Sequence, residues 1–219
     1  MEAWITIESY WYTVLLNDID YNGATLSVGA NVLGTLDGRG YKIKNFTYTQ
    51  GFVKSLYAAE SAIKNVYFYG ATQDCTGMGK YPAYGLFGQW TKRTLENLYL
   101  DVTTTNMDAD AEHIATICYG LESTGTAKNI VLDLKNENGN FHYGLNQNNG
   151  GTKVGVVGGY AGAKGSSEGG GAAWGVNDGF HQRLDWMVAE EANDELLGYT
   201  SAYWAIDATA RTITMNPWA

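Results

Sequence analysis

The densest run of titratable side chains in the 219-residue chain is NMDADAEH, residues 106–113, which gathers Asp108, Asp110, Glu112 and His113. Alternating acids on a loop could hold a calcium ion, but this run has neither the glycine that sharpens an EF-hand loop nor its closing bidentate glutamate. It reads instead as a solvated connection, the usual fate of a charged run. Asp101 and Asp133 form a second acidic pair, each four residues after an asparagine, in LENLYLDV and AKNIVLDL. Carboxylates at equivalent places in neighbouring strands repel each other if buried, so this pair is expected to face solvent or share a cation. The third candidate is Asp37, within GTLDGRGYKIKNFT at residues 34–47. A glycosidase or lyase would need such an acid paired with a second carboxylate, or with Arg or Lys, on one strand face. The 14 Lys and Arg residues show no such grouping along the chain.

Binding chemistry points elsewhere. The glycine-rich stretch GGYAGAKGSSEGGGAAWGVNDGFHQ, residues 158–182, carries Trp174, Asp178 and His181. As a recognition loop it would use its glycines to bring backbone donors and acceptors close to a partner, with the three side chains supplying stacking and polar contacts. The same stretch is also compatible with a plain surface connection. His142 and Tyr143, in GNFHYG, read as loop residues, and the sequon Asn45-Phe46-Thr47 falls in a strand pattern that disfavours glycosylation. Cys75 and Cys118 lack the spacing of a zinc site or a disulfide framework, and Cys118, inside HIATICYGLE, reads as a small buried hydrophobe. Neither a metal set nor a cofactor motif is expected.

The elements that must position these residues are strands. Twenty-eight glycines against two prolines, 16 tyrosines and only 17% charged residues suit many short strands joined by tight turns. A net charge of -9 argues against a nucleic-acid partner, whose phosphates need a basic surface. No apolar run is long enough to span a membrane as a helix, and the first residues do not form a secretory signal peptide.

Four segments align on an asparagine: IKNFTYT at 43–49, IKNVYFYG at 63–70, LENLYLDV at 95–102 and AKNIVLDL at 127–134. Their asparagines, Asn45, Asn65, Asn97 and Asn129, lie 20, 32 and 32 residues apart, and apolar residues follow at alternate positions. That pattern is a strand with one buried face. Between them run glycine-bounded strands, GFVKSL at 51–56, YGLFGQW at 84–90, HIATICYG at 113–120 and KVGVVGGY at 153–160. Repeats of this size stack, because no single coil buries its own apolar face. With equivalent positions about 4.8 Å apart, the four asparagines are expected to form one hydrogen-bonded ladder inside a turn. Asp37 followed by Gly38 is a strong turn dipeptide, and Gly40 would let the chain approach the coil beneath, so Asp37 reads as a corner residue before a catalytic acid.

LNDIDYNG at 16–23, GTLDGRGYKIKNF at 34–46 and GLFG at 85–88 resemble, in that order, the GLUG-motif branch of pectin-lyase-like right-handed parallel β-helices. SAYWAIDATARTITM at 201–215 is similar to the closing coil of such domains. The resemblance implies an all-β, right-handed parallel β-helix, or β-solenoid, of about five coils. Residues 1–15 would be an apolar cap or assembly segment, 16–157 the coils, 158–182 the glycine-rich loop region, and 183–219 a short capping helix and the closing coil. This fold serves lyases, glycosidases, adhesins and viral spikes alike. The absence of a signal peptide and the apolar start favour a non-enzymatic module of a phage fibre, spike or capsid decoration, or of a cell surface. Its expected place is a virion or an extracellular surface, as a homo-oligomer or within a larger assembly, with loops meeting a glycan or protein receptor. The alternatives are a carbohydrate-active β-helix enzyme, either a polysaccharide lyase or a glycosidase, and a fragment of a bacterial surface adhesin.

Overall fold

The computed structural model describes residues 11–26, 30–59, 61–79, 84–108, 114–136, 142–161, 204–207 and 212–215. All regular elements among them are strands: β1 Tyr12–Val14, β2 Ile19–Leu26, β3 Ala30–Asn31, β4 Thr35–Asp37, β5 Lys42–Tyr48, β6 Val53–Ser55, β7 Ala62–Asp74, β8 Trp90–Thr91, β9 Thr94–Thr105, β10 Ile114–Glu122, β11 Thr126–Asn136, β12 His142–Asn149, β13 Thr152–Ala161, β14 Trp204–Asp207 and β15 Thr212–Met215. Among the described residues, no helix is long and apolar enough to cross a membrane.

The main sheet is parallel and runs β1-β4-β7-β9-β11-β13, with β2 and β5 attached beside it through the β2-β5 and β5-β7 pairs. β7 spans both halves of the layer before it: Ala62, Ile63 and Lys64 pair with β4, and Tyr67 to Gln73 pair with β5. A second set of strands, β12-β10-β8 and β3-β6, is also parallel, and the bridge between Leu56 and Thr91 connects its two parts. The chain alternates between these sheets, so each pass adds one layer to both. Between them lies the core. Leu36, Ile63, Leu95 and Ala127 fall in register across β4, β7, β9 and β11, and all four are fully buried. Phe46, Phe52, Phe68 and Phe87 join them, with successive ring centroids 5.3, 5.4 and 5.5 Å apart. Each such ring removed from water contributes about 1.5–3 kcal/mol.

Several expectations change. KVGVVGGY forms β13 and pairs with β11, so it belongs to the asparagine-bearing sheet. The strand that continues the second sheet beside β10 is β12, which begins at His142 and Tyr143, where a loop was expected. GLFG is a tight turn, not a strand: Gly85 and Gly88 exchange backbone hydrogen bonds at 3.1 Å while Leu86 and Phe87 are fully buried. A Cβ on Gly88 would sit 2.2 Å from the Lys54 carbonyl oxygen, so only glycine fits against the layer beneath. The segment similar to a closing coil contains β14 and β15, which pair with each other antiparallel. At the boundaries, β1 pairs with β4 and so places residues 12–14 in the sheet, and β13 carries residues 158–161 as strand. The short capping helix expected ahead of the closing coil lies outside the described residues.

Candidate functional site

Of the residues singled out from the sequence, Asp37, Asn45, Asn65, Asn97 and Asp101 lie at corners of the layers. In the second layer, Asp37 turns the chain: its Oδ1 accepts from the Arg39 backbone N–H at 3.0 Å, and Gly38 packs so closely that an added Cβ would lie 2.4 Å from the Asn65 carbonyl oxygen. Gly40 lies at φ +80° and donates its N–H to that same Asn65 oxygen at 2.8 Å. In the next two layers the corner shrinks to one residue. Asn65 and Asn97 take left-handed φ of 57° and 53° within β7 and β9. Asparagine tolerates this conformation better than most residues, because its short amide can bond locally.

These corners stack. Asn97 Nδ2 donates to Asn65 Oδ1 at 2.9 Å, and Asn65 Nδ2 donates to Asp37 Oδ1 at 2.9 Å. The Tyr12 hydroxyl closes the column by donating to Asp37 Oδ2 at 2.6 Å. Asp37, Asn65 and Asn97 are all buried, so each bond replaces one that water can no longer supply. Asn129 lies beside Asn97 in register, between the pairs Lys128 with Glu96 and Ile130 with Leu98.

Asn45 does not belong to that column. It lies at a second, exposed corner, where its Nδ2 donates to Asp20 at 3.0 and 3.1 Å. The expected four-asparagine ladder therefore divides in two, and Asp37 fills the place assigned to Asn45. Gly70, in the next layer at φ 63°, would bring an added Cβ within 3.1 Å of Asn45 Oδ1. Its N–H donates to Asp101 Oδ2 at 3.1 Å, which explains why Asp101 is buried rather than facing solvent. A third corner joins Asn106, at φ 54°, to Asp74 through a 3.1 Å bond. In all three columns the amide donates towards the earlier layer and the series ends on an aspartate. A carboxylate suits that end because it accepts several bonds and requires no acceptor beyond it.

This bonding sets the electrostatics. The backbone N–H of Asn22 and the Asn45 amide hold the Asp20 carboxyl below its usual range. The Thr76 hydroxyl and the Asn106 amide do the same for Asp74. Burial pushes the Cys75 and Cys118 thiols up to about 12, so neither is poised as a nucleophile. Tyr48 is fully buried, its hydroxyl has no hydrogen-bond partner among the described residues, and burial raises its pKa well above that of a free phenol. Asp108 is exposed, whereas Asp110, Glu112 and His113 lie outside the described residues, as do Trp174, Asp178 and His181. Among the described residues no three His, Cys, Asp or Glu side chains gather as a metal site.

Sequence reasoning missed Tyr12, Asp20 and Asp74 as column ends. The irregular 20-residue step from Asn45 to Asn65, against 32 for the next two, was the available signal that Asn45 serves another corner. Compared with known proteins, the chain matches no family model, no curated protein and no solved structure. The resemblance to GLUG-motif β-helices rests on its motifs.

Proposed function

We propose that this chain is a non-enzymatic structural and recognition module, a right-handed parallel β-helix belonging to a virion appendage or a cell surface. Its loops meet a receptor or glycan. The observation that carries this reading is the use made of the acids. Asp37 accepts from a tyrosine, a backbone N–H and an amide, while Asp20, Asp74 and Asp101 are each bonded across or within a corner. A general acid or nucleophile must meet substrate and exchange a proton, and Asp37 and Asp101, buried and bonded inside their corners, do neither. Alternation between two parallel sheets, with corners stacked layer upon layer, supports the solenoid.

The first layer supports assembly. Trp11, Tyr12 and Leu16 are 54%, 58% and 65% exposed, and Leu33 follows β3 at 40%. An aromatic end of this kind favours association with more polypeptide. Mass photometry of the purified chain, combined with attachment to candidate host cells and a reducing-sugar assay, tests the reading. A stable oligomer that attaches to cells and releases no sugar is the expected result. A monomer that cleaves glycans would overturn it. Trp174→Ala is expected to weaken attachment with little change in melting temperature; a large stability loss with attachment kept by the folded fraction would remove the glycine-rich stretch from recognition.

A further inference from the structure

One strip of the main sheet has an ordered outer face. Ile19, Ile43, Phe68 and Leu100 pack into the core from β2, β5, β7 and β9. The residues flanking each of them alternate to the opposite face. Across successive layers these are Asp18 and Asp20, then Lys42 and Lys44, then Tyr67 and Tyr69, then Tyr99 and Asp101; Tyr67, Tyr99 and Asp101 are buried, and Asp18, Asp20, Lys42, Lys44 and Tyr69 are the accessible part. Register brings Asp20 beside Lys44, Lys44 beside Tyr69, Lys42 beside Tyr67, and Tyr67 beside Tyr99.

The chemistry of the strip is unusual for a solvated wall. Lys44 Nζ lies 3.7 and 3.8 Å from Asp18 and Asp20, forming a shared ion pair. Lys42 Nζ instead rests 5.2 and 5.5 Å from the Tyr67 and Tyr69 ring centroids. Tyr69 stands edge-on to Tyr67, at 5.6 Å and 89°, and remains 44% exposed. An exposed aromatic ring held in place by its neighbours, next to two ammonium donors and two carboxylate acceptors, is a platform for a sugar. One face of a pyranose stacks on the ring while its hydroxyls exchange hydrogen bonds with the flanking charges.

We propose that this strip binds a neutral pyranose glycan, with Tyr69 as the stacking residue, Lys42 and Lys44 donating to sugar oxygens, and Asp18 and Asp20 accepting from sugar hydroxyls. The inference rests on the recognition reading above and names its ligand class. Charge selects the neutral sugar over a uronate. Lys44 already faces two carboxylates, and the chain's net charge of -9 repels a polyanion.

Affinity electrophoresis of the full chain, through gels containing galactomannan, xyloglucan, mixed-linkage β-glucan, dextran or polygalacturonate, tests the assignment. At least one neutral polymer should retard the native protein. Tyr69→Phe should keep that retardation, Tyr69→Ala should weaken it about tenfold or more, as loss of an aromatic anchor does, and Lys42→Met should weaken it less. Circular dichroism should show all three variants folded. Retardation by polygalacturonate alone, or by a neutral polymer equally in Tyr69→Ala, would overturn the strip. Loss of retardation in Trp174→Ala but not in Tyr69→Ala would overturn it while leaving the recognition reading standing. If no polymer retards the chain, the strip assignment fails; if cells also fail to bind, the recognition reading fails with it.

Discussion

Asn65 is the residue at which the corner chemistry can be dissected, because glycine and alanine remove the same amide with different backbone consequences. Its side chain is buried, bonded to Asp37 on one side and to Asn97 on the other, each at 2.9 Å. Truncation takes the acceptor from Asn97 Nδ2, a cost of about 1–3 kcal/mol for a buried donor. Asp37 loses one of its bonds but keeps those from Tyr12 and Arg39, so that loss falls near the low end of about 1.5–3 kcal/mol. Asn65→Gly should therefore destabilise by about 2.5–4.5 kcal/mol, with the left-handed φ still relaxed. Asn65→Ala adds about 1–2 kcal/mol of left-handed strain, partly offset by about 0.4–1 kcal/mol from its less flexible unfolded chain. Alanine should thus be worse than glycine by about 1 kcal/mol. Asn45→Ala, at the exposed corner, should cost little beyond the strain. Urea titration followed by far-ultraviolet circular dichroism measures all three, with an unchanged slope showing that stability alone moved. A wild-type midpoint for Asn65→Gly would mean the ladder contributes nothing. Equal losses for Gly and Ala would refute the strain argument.

Tyr48→Phe removes a buried hydroxyl that has no partner among the described residues, so the same titration should show neutrality or a gain of up to about 1 kcal/mol; a clear loss would reveal a bond at that hydroxyl. Gly88→Ala forces a Cβ to 2.2 Å from a carbonyl oxygen at φ +78° and should abolish soluble folding, whereas Gly23→Ala, with nothing within 4 Å, should cost only the strain of its positive φ, about 1–2 kcal/mol. Asp74 has a folded pKa below its reference of 3.8, so its contribution is complete above that value and disappears as pH falls through the folded pKa. Asp74→Asn should consequently flatten the fall in stability below about pH 4, and an unchanged acid profile would count against the Asn106 and Thr76 bonds. Both thiols, buried and pushed up to about 12, should resist a thiol-specific dye at pH 8 until urea unfolds the chain.

The alternation of apolar residues after each asparagine was enough to place Val66, Leu98 and Ile130 in strands sharing one buried face, because side-chain direction in a strand depends only on local geometry. The glycine and aspartate of the Asp37 corner were equally legible, since turn chemistry is local. Which strands lie side by side was not. KVGVVGGY, expected in the second sheet, joins β11, and HYGLNQNN, whose first residues were expected in a loop, takes the place beside β10; both are short and glycine-containing, and only packing against β11 or β10 separates them. The asparagine ladder depended on register in the same way. Asn45 shares the local motif of Asn65, but the layer before it offers Asp20 at that corner, so its amide bonds there. The buried Asp101 and the outer strip of Lys42 and Tyr69 likewise bring together residues some 27 to 31 positions apart, whose proximity is set by the height of one layer. Sequence determined each strand's two faces and its corners; the stacking of layers decided which side chains meet across them, because hydrogen bonds and ring contacts require the partner one layer away.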